Sequence, residues 1–176
     1  AALTNAIAGD SVAATATGAA YNSKNVAAAS TIGYTGVALS GADAGNYSLA
    51  ATTAQGAGTI TARELTLGTV ASQSKTYDGT RAADASKFSA ALSNTIAGDS
   101  VTATATGATY NDHNVAAART IDYTGVSLGG SDAGNYSLAA TAAQGEGRIT
   151  PKELNLALTG GARFDKTYDG TANVAQ

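Results

Sequence analysis

Cysteine, methionine and tryptophan are absent from this chain, and phenylalanine occurs twice, proline once and histidine once. Each absence excludes something. Without cysteine there is no disulfide framework, no thiolate nucleophile and no thiolate metal site. With no cysteine a Cys/His triad lacks its nucleophile, and with a lone histidine ordinary transition-metal sites lack parts. Basic charge is also scarce: 10 Lys and Arg stand against 13 Asp and Glu, a net charge of −3. No basic stripe is there to neutralise a phosphate backbone or hold an anionic bilayer, so nucleic acid and membrane are not expected partners. No apolar run reaches membrane-spanning length. The opening residues carry neither the charged nor the apolar region of a signal peptide, so any export signal is expected elsewhere in a longer parent. Lack of cysteine suits a reducing compartment. It suits equally a long surface protein that crosses a membrane unfolded.

What is present is a repeat. The stretch opening LTNAIAGDSVAATATGAAYNSKNV at Leu3 returns as LSNTIAGDSVTATATGATYNDHNV at Leu92, and the offset of 89 residues holds from Tyr47 to Tyr136 and from Glu64 to Glu153. A period this long is a small domain rather than one supersecondary unit, so the chain reads as an excerpt of a tandem array. Each unit can bury only a thin core of Val, Ile, Leu, Tyr and Ala.

Alternation marks the strands. In SVTATATGATY, Val101, Ala103 and Ala105 fall on one face and Thr102, Thr104 and Thr106 on the other, the period of a half-buried strand. Alanine interleaved with β-branched threonine and cut by Gly107 speaks against a helix, and no helix is expected anywhere. Further strands are expected in TIDYTGVSL from Thr120, NYSLAAT from Asn135, GRIT, KELNLAL and their counterparts one repeat earlier. Gly and Asp clusters at turn spacing separate them, which predicts an all-β chain of tandem immunoglobulin-like antiparallel β-sandwich repeats in an elongated array. Core positions should include Val101, Ile121, Tyr136 and Leu138.

Two motifs recur. DAGNYSL places Asp43, Gly45, Tyr47 and Leu49 in the first copy and Asp132, Gly134, Tyr136 and Leu138 in the second. It has the form of a tyrosine corner, in which the Tyr hydroxyl bonds back to the backbone of the corner and the Leu enters the core. The alternative is a plain Asp/Gly turn before a strand. KTYDGT places Tyr77, Asp78 and Gly79, then Tyr168, Asp169 and Gly170 at an offset of 91. Asp-Gly predicts a hairpin turn with the Tyr at a strand end. The extra two residues lie where GTVASQS becomes ALTGGARFD, which marks a loop or ragged edge.

Phase has two solutions. Units beginning at RELTL and PKELNL give residues 1–62 lacking their first strands, 63–151 complete, and 152–176 as the first strands of a third unit. Units beginning at LTNAIAGD give 3–85 and 92–176. Pro151 beside Lys152 favours the first, in which the ends are complementary. A neighbouring molecule could then donate residues 152–176 to residues 1–62, a head-to-tail self-association by strand addition.

KTYDGT followed by AGDSV, a Y-x-x-x-N-V segment, DAGNYSL and ITPKEL resembles the YDG repeat of large Gram-negative surface adhesins of the filamentous-haemagglutinin, two-partner-secretion type. The resemblance covers essentially the whole chain; Ala62 where the other copy has Pro151 is a departure. It implies a non-catalytic module in the stalk of an exported adhesin at the bacterial cell surface, supporting adhesion or biofilm, with no catalytic residue and no cofactor.

Remaining candidates have plainer explanations. His113 is replaced by Lys24 in the other copy and is expected to be an exposed turn residue. Asp10, Asp99, Asp43, Asp132, Asp78 and Asp169 mostly adjoin glycine, as Asx turns require, and no D-x-D-x-D loop offers calcium a site. Lys75 and Lys166 are expected as ion-pair or solvated lysines rather than isopeptide partners. Asn46 and Asn135 open N-Y-S glycan acceptor patterns that coincide with the corner motif. Neighbouring repeats of the same chain are the expected partners, and any host or matrix ligand is unknown. The alternative function is a module that itself binds glycan or protein by avidity, through tyrosines such as Tyr77 or Tyr110.

Overall fold

A computed structural model describes residues 3–157 and 165–173. Its regular elements are strands. Within residues 3–62 these are β1 (Ala13–Thr15), β2 (Gly18–Tyr21), β3 (Thr31–Thr35), β4 (Ala38–Ser40) and β5 (Ala54–Ala57). Residues 63–150 add β6 (Arg63–Val70), β7 (Gln73–Thr76), β8 (Ala90–Ser93), β9 (Thr102–Thr104), β10 (Gly107–Tyr110), β11 (Thr120–Thr124), β12 (Ser127–Gly129), β13 (Tyr136–Leu138) and β14 (Ala142–Thr150). Three single 3-10 turns are the only helical pieces among the described residues.

The expected strand in residues 100–110 is two strands, β9 and β10, and they lie in different sheets. Their partners divide at the same level: β9 pairs antiparallel with β12, and β10 with β11. Gly125, at φ +62 between β11 and β12, takes a left-handed turn that β-branched neighbours resist. A two-stranded ribbon thus bends from one layer into the other. The first copy repeats the bend, with β1 paired to β4 and β2 to β3.

One sheet has the order β10-β11-β14-β7 and another β13-β6-β8. Antiparallel pairing dominates, but β14 runs parallel to β7 and β13 parallel to β6, a departure from the purely antiparallel expectation. Its cause is connectivity. Strands β6 and β7 enter before the bent ribbon and β13 and β14 return after it, so long crossovers replace hairpins.

The core lies between the layers. Val70, Phe88, Tyr110, Ala118, Ile121, Tyr123, Val126 and Ile149 form one buried cluster, with Leu67, Ala103, Ala105 and Leu138 packed against it. Alternation in β9 therefore works as its pattern requires, Ala103 inward and Thr102 and Thr104 exposed. Of the expected core positions, Ile121 and Tyr136 are buried, while Val101 and Leu138 are half-buried. Phe88 tilts against Tyr123 with ring centroids 4.9 Å apart and planes at 58°, an aromatic contact that strengthens a core poor in large side chains.

Residues 3–62 have nearly the same sequence but a more open interior. Tyr21 is 44% exposed where its counterpart Tyr110 is 1%. Ile32 and Tyr34 are half-buried where Ile121 and Tyr123 are fully enclosed. Strands β6, β7 and β8 make the difference in the second copy.

Candidate functional site

Two loop motifs lock together in each copy. The Tyr136 hydroxyl donates to Asp99 Oδ2 at 2.6 Å and accepts the Ile96 N–H at 3.0 Å. Asp132 Oδ2 accepts the Ser100 N–H at 2.9 Å. In the first copy Tyr47 bonds Asp10 and Ile7, and Asp43 bonds Ser11, in the same way. The hydroxyl thus reaches back 40 residues to the AGDS loop, rather than to the backbone of its own corner. The hydrogen bond it donates to the Asp99 carboxylate raises the Tyr136 pKa, since ionising the phenol would give up that bond. The Asp132 carboxyl is lowered, chiefly by the Ser100 N–H. Gly134 and Gly45 lie in the single turns that precede these tyrosines. Leu138 is half-buried against the core, and Leu49 is half-buried.

The KTYDGT motif closes on its lysine. Asp78 Oδ1 accepts from Thr80 N at 2.9 Å and from Lys75 Nζ at 2.8 Å. The ammonium also donates to the carbonyls of Thr80 and Ala82, each at 2.9 Å, and stands 5.4 Å from the centre of the Tyr110 ring. Lys75 beside it holds the Asp78 carboxyl down to about 2. Gly79 supplies φ +79, and the Tyr77 N–H bonds the Thr150 carbonyl at 2.8 Å. The turn is not the hairpin that Asp-Gly suggests. Strand β7 pairs in parallel with β14, and after the turn only an isolated bridge, Ala82 to Thr109, resumes pairing. Lys75 is an ion-paired lysine with backbone carbonyls around it.

The same turn forms at residues 166–173. Lys166 Nζ donates to Asp169 at 2.8 Å and to the carbonyls of Thr171 and Asn173, with Gly170 at φ +75. Tyr168 is 92% exposed there, so the clamp is local and does not need the sheet. The length change between the copies falls on residues 68–74, which hold the end of β6, a short link and the start of β7. Its longer counterpart lies mostly outside the described residues.

Sequence inspection missed a third arrangement. Asn135 Oδ1 accepts the Val26 N–H at 2.9 Å, and its Nδ2 donates to Asn25 Oδ1 at 3.2 Å. The N of NYS in one copy therefore meets the N-V of the other, and the amide nitrogen that a glycan would need is engaged. Lys24 adds a favourable charge near Asp132. Recurrence of both motifs was legible; that they meet across copies was not.

Other candidates stay apart. His113 is an exposed turn residue 3.7 Å from the Asp112 carboxylate. Tyr110, offered above as a contact residue for ligands, is buried beneath Lys75 and belongs to the core. Among the described residues no three His, Cys, Asp or Glu side chains converge as metal ligands, and no helix is long and apolar enough to cross a membrane.

These features define an all-β protein of bent ribbons and several antiparallel sheets, stitched by recurring Tyr–Asp and Lys–Asp loops. A family model described as the YDG domain matches residues 1–54 and 61–143. The chain belongs to the YDG domain family. No match was found among curated proteins or among solved structures.

Proposed function

We propose that this chain is a non-catalytic structural module from the stalk of a bacterial cell-surface adhesin, in which immunoglobulin-like repeats follow one another as an elongated, stiff array that projects an adhesive region. The hydrogen bonds from Asn135 to Val26 and Asn25 carry the proposal. They join one copy of the repeat to the next through motifs that both copies carry, which is what a spacer of defined angle requires. Support also comes from the pairing of β6 to β14 among themselves, which suits units starting near residue 63.

A module that works by geometry puts its recurring residues into packing and loop closure. Asp43, Tyr47, Asp132 and Tyr136 tie loops, and Lys75 and Asp78 close a turn. Host contacts, export and cell-surface location belong to the parent adhesin. Small-angle scattering at a dilution where the chain is monomeric tests the proposal. An extended particle whose longest dimension is independent of ionic strength is expected. A compact particle, or one whose units move freely, would overturn it.

A further inference from the structure

We infer that the cleft over strands β7, β11 and β14 is a binding site for a uronate-bearing saccharide, its carboxylate held between Arg119 and Arg148. The inference adds recognition to the spacer proposal and does not rest on it.

The cleft has a volume of about 790 Å³, and its lining includes Ser72, Ser74, Arg119, Thr120, Glu146 and Arg148. Pairing in the sheet brings these residues together. Thr120 stands opposite Glu146 across β11 and β14, and Arg148 opposite Ser74 across β14 and β7. The Gly147 N–H bonds the Arg119 carbonyl at 2.9 Å, so the two arginines sit on adjoining segments one residue apart in register. Both are exposed. Arg119 donates one N–H to the Ala118 carbonyl at 3.2 Å; among the described residues the side chains of Arg148 and Glu146 have no hydrogen-bond or ion-pair partner. A guanidinium carries five N–H donors in a planar fork that matches a carboxylate. Nothing within the described protein takes up the rest of these donors.

The sheet does not need the charges. In residues 3–62 the corresponding pair, β3 with β5, forms with Ser30 in place of Arg119, and Ala57 and Thr59 stand for Glu146 and Arg148. Gly33 is replaced by Asp122, which Gln144 Nε2 holds at 2.8 Å on the same sheet. The other changes of charge between the copies, Ser23 to Asp112 and Lys24 to His113, fall in the loop whose first copy meets Asn135. Charge therefore varies where one copy touches the next and again at this cleft, where no other part of the described chain is in reach.

The lining selects the ligand. Its floor is the face of a sheet in which β14 lies between β11 and β7, so a peptide cannot add over it as a strand. Ala118 is the single apolar side chain in the lining, which leaves no pocket for a lipid tail or an apolar anchor. Recognition falls to charges and hydroxyls. A carboxylate placed between two guanidinium forks makes charge-assisted hydrogen bonds. Glu146 would repel a bare anion, but it accepts from the hydroxyls that neighbour the carboxylate of a uronic acid, and Ser72, Ser74 and Thr120 bond the same ring.

Trigalacturonate titrated into the isotope-labelled full chain tests the inference, with galactotriose as the uncharged counterpart and hexaglutamate as an acidic peptide. Saturable NMR shifts are expected at the Ser74, Thr120 and Arg148 amides and at the Nε–H signals of Arg119 and Arg148, weakening with salt. Arg119→Ser with Arg148→Thr, the residues of the other copy, should lower the affinity by about tenfold or more with an unchanged thermal melt. Arg148→Lys, which keeps the charge without the fork, should fall between. Lys87→Gln, at an exposed turn outside the cleft, should leave binding as it was. No shifts at millimolar trigalacturonate, equal binding of galactotriose or hexaglutamate, or binding that survives the double substitution would overturn the inference. Each leaves the stiffness test of the chain intact.

Discussion

Asn135 holds the Val26 N–H at 2.9 Å across 109 residues of sequence, joining two copies of one repeat. Changing Asn135→Ala removes that bond and the one to Asn25. Each such bond contributes about 1 kcal/mol net, and both lie outside the core cluster. Hydrogen exchange should therefore accelerate at the Val26 amide while Ile121 and Tyr123 stay protected. Unchanged protection at Val26 would mean that the contact does not exist in solution.

Tyr136 ties two loops with one oxygen. Replacing Tyr136→Phe keeps the ring in place but leaves the Ile96 N–H and the Asp99 carboxylate without their partner. A loss of about 1–2 kcal/mol is expected, at the lower end because both loops border water. Tyr47→Phe makes the same cut in the first copy. Its effect on the main unfolding transition should be smaller, since Tyr47 adjoins a more open interior. Equal effects in denaturant titrations would contradict the difference in packing between the copies.

Gly147 leaves no room for a methyl group. A Cβ there would stand 2.5 Å from Ile121 Cγ1 and 2.9 Å from Tyr110 Cε1, both in a closed core. Gly147→Ala should cost about 1–3 kcal/mol as overpacking. At Gly58 the same overlap falls on Ile32 and Tyr21, but Tyr21 is 44% exposed and can turn away. Gly58→Ala should cost less than Gly147→Ala, because Tyr21 can move into solvent and Ile32 is only half-buried. Thermal melts of the two variants decide it, and a silent Gly147→Ala would disprove the tight packing.

Sequence pattern revealed more of the strands than of their arrangement. Alternation at Val101, Ala103 and Ala105 located the inward face, and Gly98 and Gly130 located turns, whereas the strand expected from Thr120 ran through Gly125, where the left-handed backbone ends β11 before β12 begins. Yet the ribbon bends from one sheet to another between β9 and β10, and alternation is blind to this because side chains keep their period across the bend. Parallel pairing of β6 with β13 joins residues more than seventy positions apart, a choice made by tertiary packing. DAGNYSL and AGDS were visible as recurring words; the hydrogen bonds that couple them depend on the fold. Tyr77 and Tyr110 looked alike by residue type, and only their places beside Lys75 distinguish a turn residue from a core residue.

Four tyrosines make the protein sensitive to alkali. Tyr110 and Tyr123 are raised above 10 by burial, and Tyr136 and Tyr47 by the hydrogen bonds they donate to Asp99 and Asp10. The unfolded chain releases these protons first, so the folded state binds more protons above pH 10 and stability falls as pH rises. Their contribution is whole below pH 10 and is lost as pH climbs through the folded values. Denaturant midpoints should hold level up to about pH 10, the ordinary tyrosine value, and then decline. Tyr136→Phe should lessen the decline, and a midpoint that stays level to pH 12 would refute it.

Asp78 gives the opposite dependence. Its carboxyl is held to about 2, first by Lys75 and then by the Thr80 N–H, against an ordinary 3.8. On acidification the unfolded chain takes up the proton first, so the stability tied to Asp78 is present above 3.8 and is lost as pH falls through about 2. Asp169 is also lowered, chiefly by Lys166, although its Tyr168 lies in water. Carboxyl chemical shifts followed by NMR should therefore give both residues midpoints below the ordinary value. Lys75→Met should move Asp78 back up and leave Asp169 where it was, because each clamp closes within its own turn. If Asp78 titrates at 3.8 with Lys75 in place, the clamp is not formed in solution, and the recurring lysine of KTYDGT must serve some other end.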